Sequence, residues 1–322
     1  MKSERGKVML ALGALYLIWG STFLGIRIAL EGIPPLLIAG TRYLAAGGGL
    51  YLYARLRGLP HPSRAEWRSA LIVGVLLVTG NACVVVAEQW VSSGVAAVAL
   101  ASIPLWVALV AGLFGKWPAG NEWVGLAIGL GGVAVLQTAG DLRASPLGAL
   151  WLVLSCATWA VGSVLGARLT LPRGLMSSAS QMLLGGLVVL AAALVHGERL
   201  SAVPPLRSLA ALAYLALVGS VIAYTAYQFL LKTVRPTLAA SYSYVNPLVA
   251  LLLGAAFYGE QIAPRAVGAL GLILGGVALL ALRGPRRQQA ATPARTPAAA
   301  PPGATDLRPP AVTIARRATQ RD

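Results

Sequence analysis

Long runs of apolar residues, separated by short polar connections, occupy most of the chain up to about residue 283. Each run approaches the roughly 20 residues that an α-helix needs to cross a bilayer. The pattern therefore predicts an all-α integral membrane protein with ten transmembrane helices. We place them at 8–29, 34–54, 68–89, 93–114, 122–140, 147–167, 175–195, 208–231, 236–258 and 265–282. The short connections leave no room for a soluble catalytic domain.

The two halves of this pattern also repeat each other in sequence. At one constant offset Thr22 aligns with Ser163, Gly25 with Gly166 and Arg27 with Arg168, and further on Pro104 returns as Pro247. Each copy contains five predicted helices, so the second copy must begin on the opposite side of the membrane from the first. Inverted repeats of this kind are typical of secondary transporters, whose two halves enclose a central site.

The repeat divides the chain into three parts. Residues 1–142 are predicted to form a first five-helix repeat, and residues 143–284 a second, inverted one. From 285 to 322 the chain is rich in Pro, Arg, Ala and Thr and has no helical periodicity, a composition typical of disorder. We expect a disordered cytoplasmic tail whose arginines act as an orientation signal or rest against anionic lipid headgroups.

The positive charge of the chain is large but unevenly placed. The formal net charge is +16, with 26 Lys and Arg residues against 10 Asp and Glu. In a soluble protein that balance would suggest a nucleic-acid partner. Here most basic residues fall on one side of the ten predicted helices, as the positive-inside rule requires. The charge therefore predicts a multi-pass protein of the bacterial inner membrane with both termini in the cytoplasm, and no nucleic-acid partner.

Several motifs of the chain occur together in one known superfamily. They are Trp19-Gly20-Ser21-Thr22-Phe23, Arg42-Tyr43, Gly80-Asn81, Ala87-Glu88-Gln89, Ser241-Tyr242-Ser243-Tyr244-Val245-Asn246-Pro247 and Gly275-Gly276-Val277. With this set, residues 8–283 resemble the EamA type of the drug/metabolite transporter superfamily, and within it the bacterial inner-membrane exporters. The resemblance implies ten helices, cytoplasmic termini and export of small metabolites or drugs, but no particular substrate.

Two ionisable residues, Arg42 and Glu88, lie inside predicted helices, where charges are unfavourable and therefore mark functional candidates. Asn81 lies two helical turns before Glu88 and thus on the same helix face. The repeat aligns Asn81 with Ser220, Glu88 with Tyr227 and Gln89 with Gln228. Polar positions that match between inverted halves predict a shared central cavity. In an alternative interpretation, Glu88 lies at headgroup depth and Arg42 extends to the interface to pair with it.

Aromatic and amide side chains complete the predicted cavity. The full set of predicted substrate-binding residues is Trp19, Arg42, Asn81, Glu88, Gln89, Trp159, Ser220, Tyr227, Gln228, Tyr242 and Asn246. Such a lining favours zwitterionic or weakly polar solutes, such as amino acids or small drugs. Sugar phosphates would need several buried Lys or Arg residues. Trp19 and Tyr242 fit an interfacial aromatic belt equally well.

The sequence contains no catalytic motif. Zinc-protease, nucleophile-elbow and phosphate-binding-loop motifs are absent, and the only histidines, His61 and His196, lie in loops predicted to be on opposite sides. We therefore expect no enzyme activity, no metal and no other cofactor. We expect a monomer whose partners are a small-molecule substrate and membrane lipid. A membrane scaffold or a lipid-handling, flippase-like protein is the alternative.

Without a site for ATP hydrolysis, transport would depend on a gradient. Glu88 is the acidic residue that could exchange protons near the predicted cavity. Burial would favour the neutral carboxyl of Glu88, whereas a nearby Arg42 would favour the charged carboxylate. The sequence leaves that balance, and hence proton coupling, open.

Overall fold

The computed structural model describes residues 2–91, 93–137 and 145–258, together with positions 268, 271–272, 274–276 and 279. These residues form helices and connections without a strand, which confirms the all-α prediction for the described part. Five helices are long and apolar enough to cross a membrane: Glu4–Ala29, Arg64–Ala87, Pro146–Gly166, Leu175–Val195 and Leu206–Thr233. The predicted helix 265–282, the predicted repeat boundary and the predicted tail lie wholly or mostly outside the described residues.

The helices follow one another along the chain with short connections. They are α1 (Lys2–Ala29), α2 (Pro35–Leu56), α3 (Arg64–Ala87), α4 (Ser93–Leu100), α5 (Ile103–Leu113), α6 (Gly120–Gln137), α7 (Pro146–Gly166), α8 (Leu175–Val195), α9 (Leu206–Tyr214), α10 (Ala223–Thr233), α11 (Pro236–Ala239) and α12 (Tyr242–Tyr258). Between α9 and α10, Leu215–Ile222 forms a π-helix. We call α9, this π-helix and α10 together the α9–α10 rod.

Two predicted helices are interrupted in the structure. The helix predicted over 93–114 breaks between α4 and α5 at Ser102, and the one predicted over 236–258 breaks between α11 and α12 at Ser241. Each serine hydroxyl donates to the carbonyl three residues earlier, at 2.6 and 2.8 Å, which competes with helical hydrogen bonding. At the first break, Pro104 also lacks a backbone N–H. The prediction of uninterrupted helices was wrong at these two places.

Helices of the two halves interlock around the centre of the protein. The second helix of the first half, α2, lies along α8, its counterpart in the second half. The first helix, α1, packs against the α9–α10 rod, and α7 packs against α3. The first helix of each half therefore packs on the third helix of the other half, and the space between them belongs to both.

Glycines bring the backbones of α2 and α8 into direct contact. A Cβ atom at Gly40 would lie 2.7 Å from Leu190 Cα, and one at Gly47 would lie 2.8 Å from Leu183 Cα. From the other side, a Cβ at Gly186 would lie 2.9 Å from Leu44 Cα. Small residues permit this close approach of membrane helices, which gains van der Waals contact between the two halves.

A side chain at Gly47 is expected to separate α2 from α8. We expect Gly47→Val to destabilise the folded protein by about 3 kcal/mol or more, because its neighbour is backbone that cannot move aside. Gly49→Val, in the same helix, is the control, since a Cβ there would meet no described atom within 4 Å outside the adjacent backbone of its own helix. Thermal unfolding of both variants in detergent checks this. Equal melting temperatures for the two variants would contradict the packing described here.

The N-terminus of α2 is capped by the other half. Glu198, in the connection after α8, accepts hydrogen bonds from the backbone N–H groups of Leu36 at 3.2 Å and Leu37 at 2.9 Å. The first N–H groups of a helix have no partner within it, and a carboxylate is favourable there. This contact ties the two halves together at the end of α2.

Candidate functional site

A small cavity lies between the two halves of the protein. Its volume is about 40 Å³, enough for no more than a few water molecules. It is lined by Trp19, Thr22, Phe23, Ile26, Gly80, Asn81, Val84, Leu100, Ile103, Ser155, Trp159, Tyr242 and Asn246. The structure thus brings together Trp19, Asn81, Trp159, Tyr242 and Asn246 of the predicted substrate-binding residues. We call this space the central cavity.

Four aromatic rings form a cluster at the central cavity. The ring centroid of Trp19 lies 5.4 Å from that of Trp159, 5.2 Å from that of Tyr227 and 4.5 Å from that of Tyr242. The indole N–H of Trp19 donates to the Gly219 carbonyl at 3.0 Å, and that of Trp159 donates to the Tyr227 hydroxyl at 3.2 Å. Because protein atoms satisfy both indole N–H groups, the rings present apolar surface to a ligand.

Two amide side chains in the wall of the central cavity have unsatisfied oxygens. The Oδ1 atoms of Asn81 and Asn246 are buried, and neither has a hydrogen-bond partner among the described residues. Buried polar atoms are nearly always paired, so an exception beside a cavity indicates a place for a ligand or water. These oxygens can accept hydrogen bonds from an ammonium, hydroxyl or amide group.

Arg42 and Ser220 do not line the central cavity but lie close behind its wall. Arg42 is 1% exposed, and its Nε donates to Ser220 Oγ at 3.0 Å. A Cβ at Gly219 would lie 3.0 Å from Cγ2 of Thr22, which lines the cavity, and 3.5 Å from Arg42 Nη2. Arg42 is therefore buried away from the protein surface, and among the described residues it forms no ion pair with Glu88.

Gln228 is likewise outside the lining of the central cavity. Its Oε1 accepts a hydrogen bond from Gln181 Nε2 at 3.3 Å, and the Tyr224 hydroxyl donates to Gln181 Oε1 at 3.1 Å. Gln181 Nε2 also donates to Ser177 Oγ at 2.9 Å. These residues form a buried polar network within the second half, between α8 and α10.

Glu88 and Gln89 line a second and larger cavity. This cavity has a volume of about 740 Å³ and lies where α1 and α3 end, on the side that the sequence predicts to be outside. Glu88 is 0% exposed, and neither of its carboxyl oxygens has a hydrogen-bond partner among the described residues. Its backbone carbonyl accepts from Arg27 Nη1 at 3.0 Å, whereas Gln89 is exposed and binds the Val86 carbonyl at 3.1 Å. We call this space the outer cavity.

The residues predicted from the sequence did not include all of the polar residues that line the two cavities. Thr22 and Ser155 line the central cavity, and Arg27 lines the outer one. The alignment of Thr22 with Ser163 and of Arg27 with Arg168 was a signal for two of these three residues. Among the described residues, no group of three or more His, Cys, Asp or Glu side chains could hold a metal ion.

Comparisons with known proteins agree with this architecture. The sequence profile of the EamA-like transporter family matches residues 6–138 and again 146–282. The inner membrane transporter YedA of Escherichia coli K12 is 48% identical over 275 residues, which are 84% of this chain and 90% of YedA. A probable terminal-alkyne amino-acid exporter of Streptantibioticus cattleyicolor is 29% identical over 90% of this chain and 98% of that protein.

A solved structure shows the same fold. A crystal structure matches with a TM-score of 0.70 and 21% sequence identity, and the match covers 85% of this chain and 96% of the other. At that identity the likeness extends to the fold alone.

Proposed function

Because the chain belongs to the EamA-like transporter family and is thus a membrane transporter, we propose that it exports small amino-acid-like metabolites or drugs across the bacterial inner membrane. In this proposal ten transmembrane helices form two inverted five-helix halves, and both termini are cytoplasmic. The central cavity is the substrate site, and it opens alternately to either side of the membrane.

The shared central cavity is the observation that supports this proposal. Its wall combines residues of the first half, such as Trp19 and Asn81, with residues of the second half, such as Trp159 and Asn246. A relative rotation of the halves would therefore change every wall of the site at once. At about 40 Å³ the cavity is far smaller than the ligand pockets of several hundred Å³ found in proteins. A substrate would require the halves to move apart.

The chemistry of the lining supports an amino-acid-like substrate. Aromatic rings can contact an apolar side chain, while the oxygens of Asn81 and Asn246 can accept hydrogen bonds from an ammonium group. The Streptantibioticus relative, a probable terminal-alkyne amino-acid exporter, points to the same class of compound. We propose that exchange with protons through Glu88 drives the export.

The proposed function is tested by a comparison of metabolites in medium and cells between a deletion strain and an overexpressing strain. The compound most enriched outside the overexpressing cells is then tested in sealed liposomes that contain the purified protein. Movement of a water-soluble amino acid or related metabolite supports the proposal. Movement of a lipid analogue instead, with no soluble compound transported, would identify a flippase-like protein. A sugar phosphate as the transported compound would contradict the substrate assignment.

Alternating access predicts conformation-dependent exposure of Asn81. After replacement of the native cysteines, Cys83 and Cys156, we expect Asn81→Cys to react with a water-soluble thiol reagent at rates that differ about tenfold or more with and without the transported compound. Ala82→Cys is the matched control, because Ala82 is 3% exposed in the same helix but does not line the central cavity. Equal and unchanging reactivity at both positions would identify Asn81 as a packing residue.

A further inference from the structure

The buried guanidinium of Arg42 has only neutral partners among the described residues. Its Nε donates to Ser220 Oγ at 3.0 Å, its Nη2 lies 3.5 Å from the Tyr43 hydroxyl, and its Nη1 has no hydrogen-bond partner. The guanidinium carbon lies 4.7 Å from the centroid of the Tyr43 ring. The two ion pairs in the described part of the chain belong to other arginines, Arg207 and Arg235.

This burial is unfavourable unless another group compensates the charge. Arginine stays protonated in proteins, and neutral hydrogen-bond partners offset only part of the desolvation of a charge. Ser220 does not depend on the arginine, because its hydroxyl already donates to the Leu215 carbonyl at 3.0 Å. The hydrogen bonding of Ser220 therefore does not require a cation at position 42. The unpaired Nη1 leaves a donor for an anion that the protein itself does not supply within the described residues.

The position of Arg42 connects this charge to the substrate site. Arg42 contacts Ser220 of the π-helix, and a Cβ at the neighbouring Gly219 would lie close both to Arg42 and to Thr22 of the central cavity wall. The Gly219 carbonyl accepts the hydrogen bond from Trp19. π-Helical turns are rare and occur often at functional sites. A shift of this turn when the halves separate would bring the guanidinium to the cavity surface.

We propose that Arg42 binds the carboxylate of a monoanionic or zwitterionic substrate in the expanded central cavity. This proposal rests on the proposed function and names the group that selects the substrate. One guanidinium matches one carboxylate in charge and in two-pronged hydrogen-bond geometry. A doubly charged phosphate would keep an uncompensated charge. The oxygens of Asn81 and Asn246 can accept from the ammonium group of a zwitterion, so the two kinds of group complement an amino acid.

The first test uses the stability of the full-length protein in detergent without substrate. If the charge of Arg42 is uncompensated, Arg42→Met removes an unfavourable buried cation, and the melting temperature rises by several degrees. Arg207→Met is the matched control, because Arg207 forms an ion pair at the surface with Glu31, and its melting temperature should stay within about one degree of the parent. A lower melting temperature for Arg42→Met, or its failure to fold, would identify Arg42 as a structural residue and overturn the proposal.

The second test uses two probes of nearly equal shape, phenylacetate and its uncharged isostere phenylacetamide. We expect phenylacetate to raise the melting temperature of the parent protein and to bind at least about tenfold more tightly than phenylacetamide. Inorganic phosphate should have no such effect. The difference between the two aromatic probes should disappear in Arg42→Met and persist in weakened form in Arg42→Lys, which keeps a charge without the planar geometry.

The outcomes separate this proposal from the proposed function. Equal responses to phenylacetate in the parent and in Arg42→Met, or no response in the parent, would overturn the anion site even if export is observed. Conversely, a carboxylate response that depends on Arg42 would support the anion site even if liposomes show no transport, and the proposed function alone would then fail.

Discussion

Replacement of Trp19 with alanine is expected to reduce the initial rate of transport about 100-fold. The Trp19 ring contacts the rings of Trp159, Tyr227 and Tyr242, at centroid distances of 4.5 to 5.4 Å. Each aromatic contact contributes about 0.5–1.5 kcal/mol to holding the cavity wall in place. Where all of this energy, about 3 kcal/mol for three contacts, serves to hold the wall in the shape that binds the substrate, its loss weakens binding by about two factors of ten. The variant also loses the hydrogen bond to the Gly219 carbonyl, which joins the two halves. The rate is measured in liposomes with the compound identified by the metabolite comparison.

Two variants serve as controls for this prediction. Trp90 follows α3 and is 42% exposed, so Trp90→Ala removes the same side chain without disturbing the central cavity. Its transport rate should stay within about twofold of the parent rate, as expected for an exposed residue. Trp19→Phe keeps a ring but lacks the N–H donor, and we expect an intermediate loss of about tenfold. A Trp19→Ala protein that transports at the parent rate would exclude this residue from the substrate site.

The central cavity was predictable from the sequence because the internal repeat indicates which helices of the two halves lie beside a shared site. Trp19 and Trp159 lie in the first helix of their respective halves, one position apart in the repeat alignment, and the prediction of inverted halves placed these two helices beside a shared site. Asn246 and Tyr242 could be added because they lie one turn apart on one helix face. Five predicted residues therefore line a single cavity, although their role in binding a substrate stays a prediction.

The sequence did not predict the local backbone geometry and hydrogen bonds within each repeat. The π-helix Leu215–Ile222 is an apolar run without Pro, and its counterpart in the first half lies within the regular helix α3. As a result Trp19 binds the carbonyl of Gly219 across the halves, whereas Trp159 binds Tyr227 within its own half. A choice between hydrogen bonds four and five residues apart depends on tertiary packing, which a pattern of residue types does not encode.

The position of Glu88 shows how one helical turn changes an assignment. Val84 of α3 lines the central cavity, and Glu88, one turn later, lines the outer cavity. The periodicity of the sequence placed Glu88 and Asn81 on one helix face but could not show where one cavity ends and the next begins. The same limit applies to Arg42, whose depth behind Thr22 and Gly219 follows from side-chain packing.

Glu88→Gln is expected to abolish accumulation of substrate driven by a pH gradient. Glu88 lines the outer cavity but is 0% exposed, and no described residue forms a hydrogen bond with its carboxyl. A change of solvation as this cavity opens and closes would change the affinity of the carboxyl for a proton, which is the property that coupling requires. Glutamine has nearly the same shape but cannot titrate. With one proton exchanged per substrate, one pH unit supports an accumulation ratio of about ten, and this ratio should fall to about one in the variant.

The measurement uses liposomes loaded with substrate at a fixed pH difference, and it separates coupling from substrate binding. Exchange of labelled for unlabelled substrate without a gradient should continue in Glu88→Gln, because the central cavity is unchanged. Glu31→Gln is the matched control, since Glu31 lines the same outer cavity but forms an ion pair with Arg207. It should keep the accumulation ratio of the parent. Full gradient-driven accumulation by Glu88→Gln would exclude Glu88 as the coupling group. Among the described residues, no other acidic side chain lines either cavity without an ionic partner, so that result would also contradict proton coupling at these two cavities.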